Sequence, residues 1–285
     1  MDALFEHRID VAGHYTRALE SPGEGPGIVL LHGWGDSADV WRALLEELSL
    51  RERRAIAVDL PGFGRATSLK PGAVLPQLDA FAAELVRGWS DGEPVVVAGS
   101  SLGGCLALRL AERVPERVER VVALAPAGLD MARWLALIEH DHVLRLLVQA
   151  PVPFPPRVIQ TAIGRVYRSL AFADPERIEP GIVRNYVRHH PDRAALARML
   201  ASGRRMLPEL HDPFDFSKIG CKVLLVWGDG DRLVFHRGAQ RLLAAVEDSR
   251  LELIERCGHA PQLEHPDRVV ELLLEQSEPL LEQAA

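Results

Sequence analysis

An α/β fold built on a mostly parallel sheet is what this chain predicts, and three observations predict it. Short β-branched and aliphatic runs alternate with helix-like segments, the later runs are apolar throughout, and the alternation breaks once, between about residues 127 and 216. Strands linked by crossover helices become parallel neighbours, and a strand covered on both faces carries no polar alternation. Strands are expected near 4–10, 14–19, 27–32, 54–59, 94–99, 119–125, 222–227 and 250–255. Helices are expected near 38–49, 76–89, 102–113, 236–247 and 266–283, each after a strand. The first two strands lie close together and alternate polar with apolar residues, which predicts an antiparallel hairpin at one edge.

The break divides the chain into a core, 1–126 with 217–285, and an insertion, 127–216. The insertion reads as helices separated by Pro151-Val152-Pro153-Phe154-Pro155-Pro156 and by Ala173-Asp174-Pro175. Met131, Trp134, Leu135 and Ile138 fall on one helical face, which Val143, Leu146 and Leu147 continue. Such a face either packs within the insertion or roofs a cavity, because large additions to an open α/β sheet sit over the carboxyl ends of its strands.

Bulk properties exclude several classes. With 285 residues, 47% apolar and 26% charged, the chain is long enough to bury a deep site and carries no low-complexity tract. A formal charge of -7 argues against a nucleic-acid surface, and Arg51-Glu52-Arg53-Arg54, the densest basic run, reads as a solvated loop. Cys105, Cys221 and Cys257 are scattered and odd in number, which favours packed thiols over disulfides or zinc. The charged stretch Met1-Asp2-Ala3-Leu4-Phe5-Glu6-His7-Arg8 does not resemble a signal peptide, and no apolar run reaches the length of a membrane span. The expected location is the cytoplasm.

Chemistry concentrates at Gly99-Ser100-Ser101-Leu102-Gly103, between the strand run Val95-Val96-Val97-Ala98 and the helical run Gly104-Cys105-Leu106-Ala107-Leu108-Arg109-Leu110. A serine hydroxyl is a weak nucleophile and must be held exposed where a base can take its proton. A sharp strand-to-helix turn does this, and it needs small residues two before and two after the serine. Centring the turn on Ser101 satisfies that requirement; centring it on Ser100 would put the bulky Leu102 at a crowded position. A glycine-rich turn with an incidental serine is the bland alternative.

Five segments in order carry a family resemblance: Leu30-Leu31-His32-Gly33-Trp34-Gly35, Asp59-Leu60-Pro61-Gly62-Phe63-Gly64-Arg65, the turn at Ser101, Val223-Leu224-Leu225-Val226-Trp227-Gly228-Asp229-Gly230-Asp231, and Gly258-His259-Ala260-Pro261. From residue 27 to about 275 the chain resembles the α/β-hydrolase family, which implies an eight-stranded, mostly parallel sheet flanked by helices with an inserted helical lid. Ser101, Asp231 and His259 occur in the order nucleophile, acid, base, each just beyond a predicted parallel strand, so all three can converge on one sheet edge. His259 would then move the proton of Ser101, and Asp231 would hold the imidazole tautomer. Asp229 competes for the acid role, and the resemblance favours Asp231 because the family's acid stands three residues past the strand-end glycine. His265, before Pro266 at a helix start, competes as the base. The Leu102 amide, opening a helix, suits an oxyanion donor. The resemblance implies the Trp34 amide as the second donor and assigns His32 to orienting the loop. Trp34, Trp134 and Val234 are the candidate substrate contacts.

Other strings read as incidental. Glu139-His140-Asp141-His142 lacks further ligands for a metal, Asp229-Gly230-Asp231 lacks the closing ligands of a calcium loop, and Gly62-Phe63-Gly64 lacks the third glycine of a dinucleotide fingerprint. Cys257 reads as a packed thiol. No cofactor or metal is expected. By resemblance, serine at the turn points to acyl transfer, and the expected partner is a small-molecule carboxylic ester. The rival is a carbon–carbon hydrolase of ring-cleavage products, whose members carry Gly-Pro-Gly, Asn and Trp where this chain has Gly35-Asp36-Ser37, Ser100 and Ala260. A non-catalytic ligand-binding or signalling protein of the same fold is the alternative from another class.

Overall fold

The computed structural model describes residues 4–135 and 155–275. Ile138, Val143, Leu146, Leu147, the segment Glu139-His140-Asp141-His142, Pro151 to Phe154 and the end of the last expected helix lie outside the described residues. All eight expected strands are present: β1 (Phe5–Val11), β2 (His14–Ser21), β3 (Glu24–Leu31), β4 (Arg53–Val58), β5 (Val95–Ser100), β6 (Val118–Leu124), β7 (Lys222–Gly228) and β8 (Ser249–Ile254). They form one sheet in the order β1-β2-β4-β3-β5-β6-β7-β8. The β1/β2 and β2/β4 pairs are antiparallel, and every pair from β4 to β8 is parallel. The edge hairpin turns through Ala12 (φ 53°) and Gly13 (φ 74°), the left-handed pair that matches strand twist in a two-residue loop.

Period-two alternation explains why the central strands are apolar without interruption. Val29 and Leu31 enter one core cluster while Ile28 and Leu30 enter the other, on the opposite face. Helices cover both faces: α1 (Arg42–Leu50), entered through a 3-10 turn at Ala38–Trp41, α2 (Leu75–Trp89) and α3 (Leu102–Arg113). Between β6 and β7 come α4 (Pro156–Ala171), α5 (Pro180–Arg188) and α6 (Arg193–Met206). Proline starts α4 and α5, where its missing N–H costs nothing, and Asp192 caps α6 by accepting from the Ala195 amide at 2.8 Å. The chain closes with α7 (Ala239–Leu243), α8 (Pro261–Glu264) and α9 (Pro266–Leu274).

Two expectations are corrected. The helix expected over 236–247 is a 3-10 turn at His236–Gly238 followed by the five-residue α7, because the chain must reach β8 at Ser249. The helical face expected from Met131 does not form at its start. Met131 pairs with Val234 in an antiparallel bridge, flanked by Ala132 N–H to the Leu233 carbonyl and Phe235 N–H to the Asp130 carbonyl, both 2.8 Å, and Arg133–Leu135 is a 3-10 turn. Those long-range backbone bonds replace the i to i+4 bonds a helix would need.

Candidate active site

Ser101 sits between β5 and α3 with φ 54° and ψ −111°, a backbone state that costs on the order of 1–3 kcal/mol and persists only when its surroundings impose it. They do impose it. The Ser101 amide donates to the Leu124 carbonyl at 2.8 Å, and its carbonyl accepts from Cys105 at 2.9 Å and Ala127 at 3.0 Å. A Cβ on Gly99 would lie 2.1 Å from the Gly103 carbonyl oxygen, and one on Gly103 would lie 1.9 Å from that of Leu31. The expected crowding at both glycines is therefore real, and it wedges α3 against the end of β3. Ser100 is the last residue of β5 and buried, whereas Ser101 is partly exposed.

The His-Gly loop lies beside this turn, since a Cβ on Gly33 would be 3.4 Å from Ser101 Cβ. His32 is fully buried, with Nδ1 2.7 Å from the Gly33 carbonyl and Nε2 accepting from the Leu60 amide at 2.9 Å. Both ring nitrogens are committed, the first as donor and the second as acceptor, and burial lowers the imidazole to about 4. His32 holds the loop in shape as a neutral group. Among the described residues, the Trp34 and Leu102 amides make no hydrogen bond, the condition for donors that serve a ligand.

Beyond β7 and β8, His259 Nδ1 meets Asp231 Oδ2 at 2.8 Å. The other carboxylate oxygen, Oδ1, accepts from the amides of Leu233 at 2.8 Å and Val234 at 3.1 Å. Asp231 and His259 are both buried, so this hydrogen-bonded pair is shielded from water. Asp229 is exposed and accepts from the Cys257 amide at 3.3 Å, away from the imidazole. His265 begins α9. Because β5, β7 and β8 run parallel, Ser101 and the Asp231–His259 pair leave the sheet at the same edge. No hydrogen bond joins Ser101 to His259 among the described residues; such bonds often tighten only around a bound reactant. The arrangement provides a strained, partly exposed serine, a carboxylate-held imidazole and free amides.

The candidate substrate contacts separate. The Trp34 indole N–H donates to Ser202 Oγ of α6 at 3.1 Å, and the ring lies so close to Gly203 that a Cβ there would be 2.6 Å from it. Trp134 is 38% exposed on its 3-10 turn. Val234 packs into the main core cluster, and its part in the site is its amide on Asp231. Cys257 is fully buried and burial pushes its thiol up, as it does for Cys105.

Several contributors gave no sequence signal. Glu264 of α8 accepts from the Gly258 amide at 2.6 Å and the Ala173 amide at 2.9 Å, tying the His259 loop to the end of the β6–β7 insertion. The His259 amide itself donates to the Ala171 carbonyl at 2.8 Å. His190 Nε2 is 2.8 Å from the Gly35 carbonyl, and Tyr186, stacked on Tyr167 at 3.8 Å, approaches the same glycine. Burial raises the Asp36 carboxyl to about 8, with the negative charges of Asp39 and Asp59 adding to the shift against the Ser37 amide. Beneath the loop, Arg17 binds Asp39 and Asp59 through four bonds of 2.9 to 3.1 Å, and Arg188 and His189 reach Asp39 from the insertion. Although burial opposes ionisation, the hydrogen bonds from His189, Arg17 and Arg42 hold Asp39 well below the usual carboxylate range. Among the described residues no cluster of three or more His, Cys, Asp or Glu is arranged to hold a metal, and no helix is long and apolar enough to cross a membrane.

The geometry agrees with what the chain resembles. A model of the alpha/beta hydrolase family matches residues 28–272. A pimeloyl-[acyl-carrier protein] methyl ester esterase of Nitrosomonas europaea is 29% identical over 254 residues, 88% of this chain and 96% of the relative. A 2-hydroxy-6-oxo-6-(2'-aminophenyl)hexa-2,4-dienoic acid hydrolase of Metapseudomonas resinovorans is 25% identical, covering 93% of this chain and 88% of the relative. Among solved structures, a 2-hydroxy-6-oxo-6-phenylhexa-2,4-dienoate hydrolase from Rhodococcus superposes with a TM-score of 0.77 at 25% identity, over 95% of this chain and 97% of that one.

Proposed function

This chain belongs to the alpha/beta hydrolase family, and from that premise we propose that it hydrolyses carboxylic esters through an acyl-enzyme on Ser101. The observation that carries the reading is the pairing of a strained, partly exposed Ser101 with a buried Asp231–His259 couple leaving the same sheet edge. His259 takes the Ser101 proton as Oγ bonds to the ester carbonyl carbon, and the Trp34 and Leu102 amides receive the oxyanion. Collapse breaks the carbon–oxygen bond to the alcohol, which leaves with the proton from His259. Water, deprotonated by His259, then releases the acid and restores Ser101. Asp231 keeps the proton on Nδ1 so that Nε2 faces the reaction, and stabilises the imidazolium. No step uses a cofactor or metal. The methyl ester esterase relative supports an ester as substrate, and the helices between β6 and β7, which grip the Trp34 and His259 loops, are read as the lid over it.

The carbon–carbon hydrolase relatives make the competing reading concrete. A panel of p-nitrophenyl esters run beside a dienol ketoacid decides between them. Ester turnover with covalent fluorophosphonate labelling, both lost in Ser101→Ala by about 10^4-fold or more, is expected; turnover of the ketoacid alone would overturn the ester reading. Labelling that survives Ser101→Ala would remove Ser101 from the mechanism.

A further inference from the structure

The loop that carries His259 is clamped between two walls, and only one of them is the sheet. On the sheet side, a Cβ on Gly228 at the end of β7 would lie 2.2 Å from the Gly258 carbonyl oxygen, and the Cys257 carbonyl accepts from the Gly230 amide at 2.9 Å. On the insertion side, a Cβ on Gly258 would lie 2.6 Å from the Ala171 carbonyl oxygen and 2.7 Å from the Ala173 nitrogen, so the residue before His259 rests against the exit of α4. Glu264 of α8 fastens that second wall: Oε1 accepts from the Gly258 amide at 2.6 Å and Oε2 from the Ala173 amide at 2.9 Å, with Cys257 Sγ 3.7 Å from Oε1. Ala260, on the other side of His259, packs with Ala171, Phe172 and Ile178 in a satellite core separate from the two main ones. The acid is tied to the same helix end, because Arg232, next to Asp231, donates to the Ser169 carbonyl at 2.8 Å.

A carboxylate with each oxygen on a different backbone amide fixes two chain segments relative to one another, and its loss strands two donors that only a movement of the loop can satisfy. Such a movement passes straight to His259, which follows Gly258 and whose own amide depends on the Ala171 carbonyl of the same helix exit. Proton transfer at a serine is sensitive to it, since a displacement of about 1 Å can cost about 10^2-fold in rate. The sheet-side contacts of the loop do not involve Glu264, so without it the loop keeps its place in the fold while the imbalance falls on the base. Glu209 offers a matched comparison: its two oxygens accept from the Val74 and Leu75 amides at 2.7 and 2.9 Å, at the start of α2, where no residue of the candidate site stands.

We propose that Glu264 is a positioning residue that sets His259 toward Ser101 by fastening its loop to the exit of α4; this rests on the acyl-enzyme reading and adds to it a group that reading does not use. The test compares Glu264→Ala, Glu264→Gln and Glu209→Ala in steady-state kinetics on one p-nitrophenyl ester and in the rate of fluorophosphonate labelling of Ser101. In Glu264→Ala, kcat and the labelling rate fall together by about 10^2-fold while KM stays within about twofold. Glu264→Gln keeps one acceptor oxygen but turns an N–H toward the second backbone amide, and both rates fall by about tenfold. Glu209→Ala loses the same kind of bonds and keeps kcat within about twofold. A loss of kcat shared by Glu264→Ala and Glu209→Ala marks a general effect on stability and overturns the proposal. Unchanged kcat in folded Glu264 variants also overturns it, as does a change confined to KM. If Glu264→Ala does not fold, Glu264→Gln decides by the same criteria. If the wild type turns over no ester, the reaction reading fails by itself. Positioning is then decided by the ring-nitrogen NMR shifts of His259 in 15N-histidine-labelled protein, assigned with His259→Ala: displaced shifts in the Glu264 variant and not in Glu209→Ala support it, and unchanged shifts or equal changes in both overturn it.

Discussion

At the sheet edge, the reactive groups are placed by backbone: the Leu124 carbonyl binds Ser101 and the Leu233 and Val234 amides bind Asp231, while the His259 amide is bound by the Ala171 carbonyl at the end of α4. In the β6–β7 insertion, contact with the core is mostly made by side chains, Ser202 to Trp34, His190 to Gly35 and Arg188 to Asp39. Backbone bonds are available to any sequence that adopts the fold, while side-chain bonds can be exchanged one residue at a time. The difference teaches that the edge sets the chemistry and the insertion can be retuned without dismantling it.

The sharpest way to break that comparison is at the acid. Asp231→Asn leaves the shape intact but allows the wrong imidazole tautomer, and kcat should fall about 10^4-fold, whereas Asp229→Asn should stay within about twofold because Asp229 faces solvent and the Cys257 amide. Steady-state kinetics on one ester check both; equal losses would mean that the Asp231–His259 contact is not what matters. Gly103→Ala attacks the elbow through sterics, since the new Cβ would lie 1.9 Å from a carbonyl oxygen. Overpacking of that severity should cost about 3 kcal/mol or more in a denaturant titration, and a neutral result would show that the turn can open.

On the insertion side of the comparison, Asp36 tests whether polar groups beneath α4 and α5 tune stability through pH. With its carboxyl at about 8 in the fold and 3.8 as the ordinary value, the native state keeps a proton that the unfolded chain gives up between those limits. Wild-type stability therefore falls as pH rises from about 4 to 8. Asp36→Asn cannot ionise, so its Tm should match wild type near pH 4 and exceed it by the equivalent of about 1–3 kcal/mol at pH 8; a constant offset across that range would show that Asp36 ionises freely. The smallest expected effect is Ser202→Ala, which removes the indole partner for about 1 kcal/mol in thermal stability. A KM change of a few-fold with unchanged kcat would agree with an adjustable contact of the insertion, while a large kcat loss would place Ser202 in the edge machinery.

Legibility followed the range of the interaction. The central strands were readable because burial on two faces demands continuous apolar runs, the edge hairpin because its strands alternate polar with apolar residues, and the elbow because steric crowding at Gly99 and Gly103 leaves room only for glycine. Asp231 could be preferred to Asp229 only through resemblance; the structure separates them by which carboxylate reaches His259. Met131 shows the opposite case, where apolar spacing predicted a helix and pairing with Val234, about a hundred residues away, took the backbone elsewhere. Arg17 and Glu264 were invisible for a related reason: a buried charge looks like a surface charge until its partners are known.

The amino-acid sequence by itself determined the layered α/β architecture, the order of the strands' connections and the serine turn, because periodicity and local sterics act over a few residues. Tertiary structure alone decided which carboxylate faces the imidazole and how the insertion grips the Trp34 and His259 loops. Those outcomes depend on distances between residues far apart in the chain, and no local pattern encodes them.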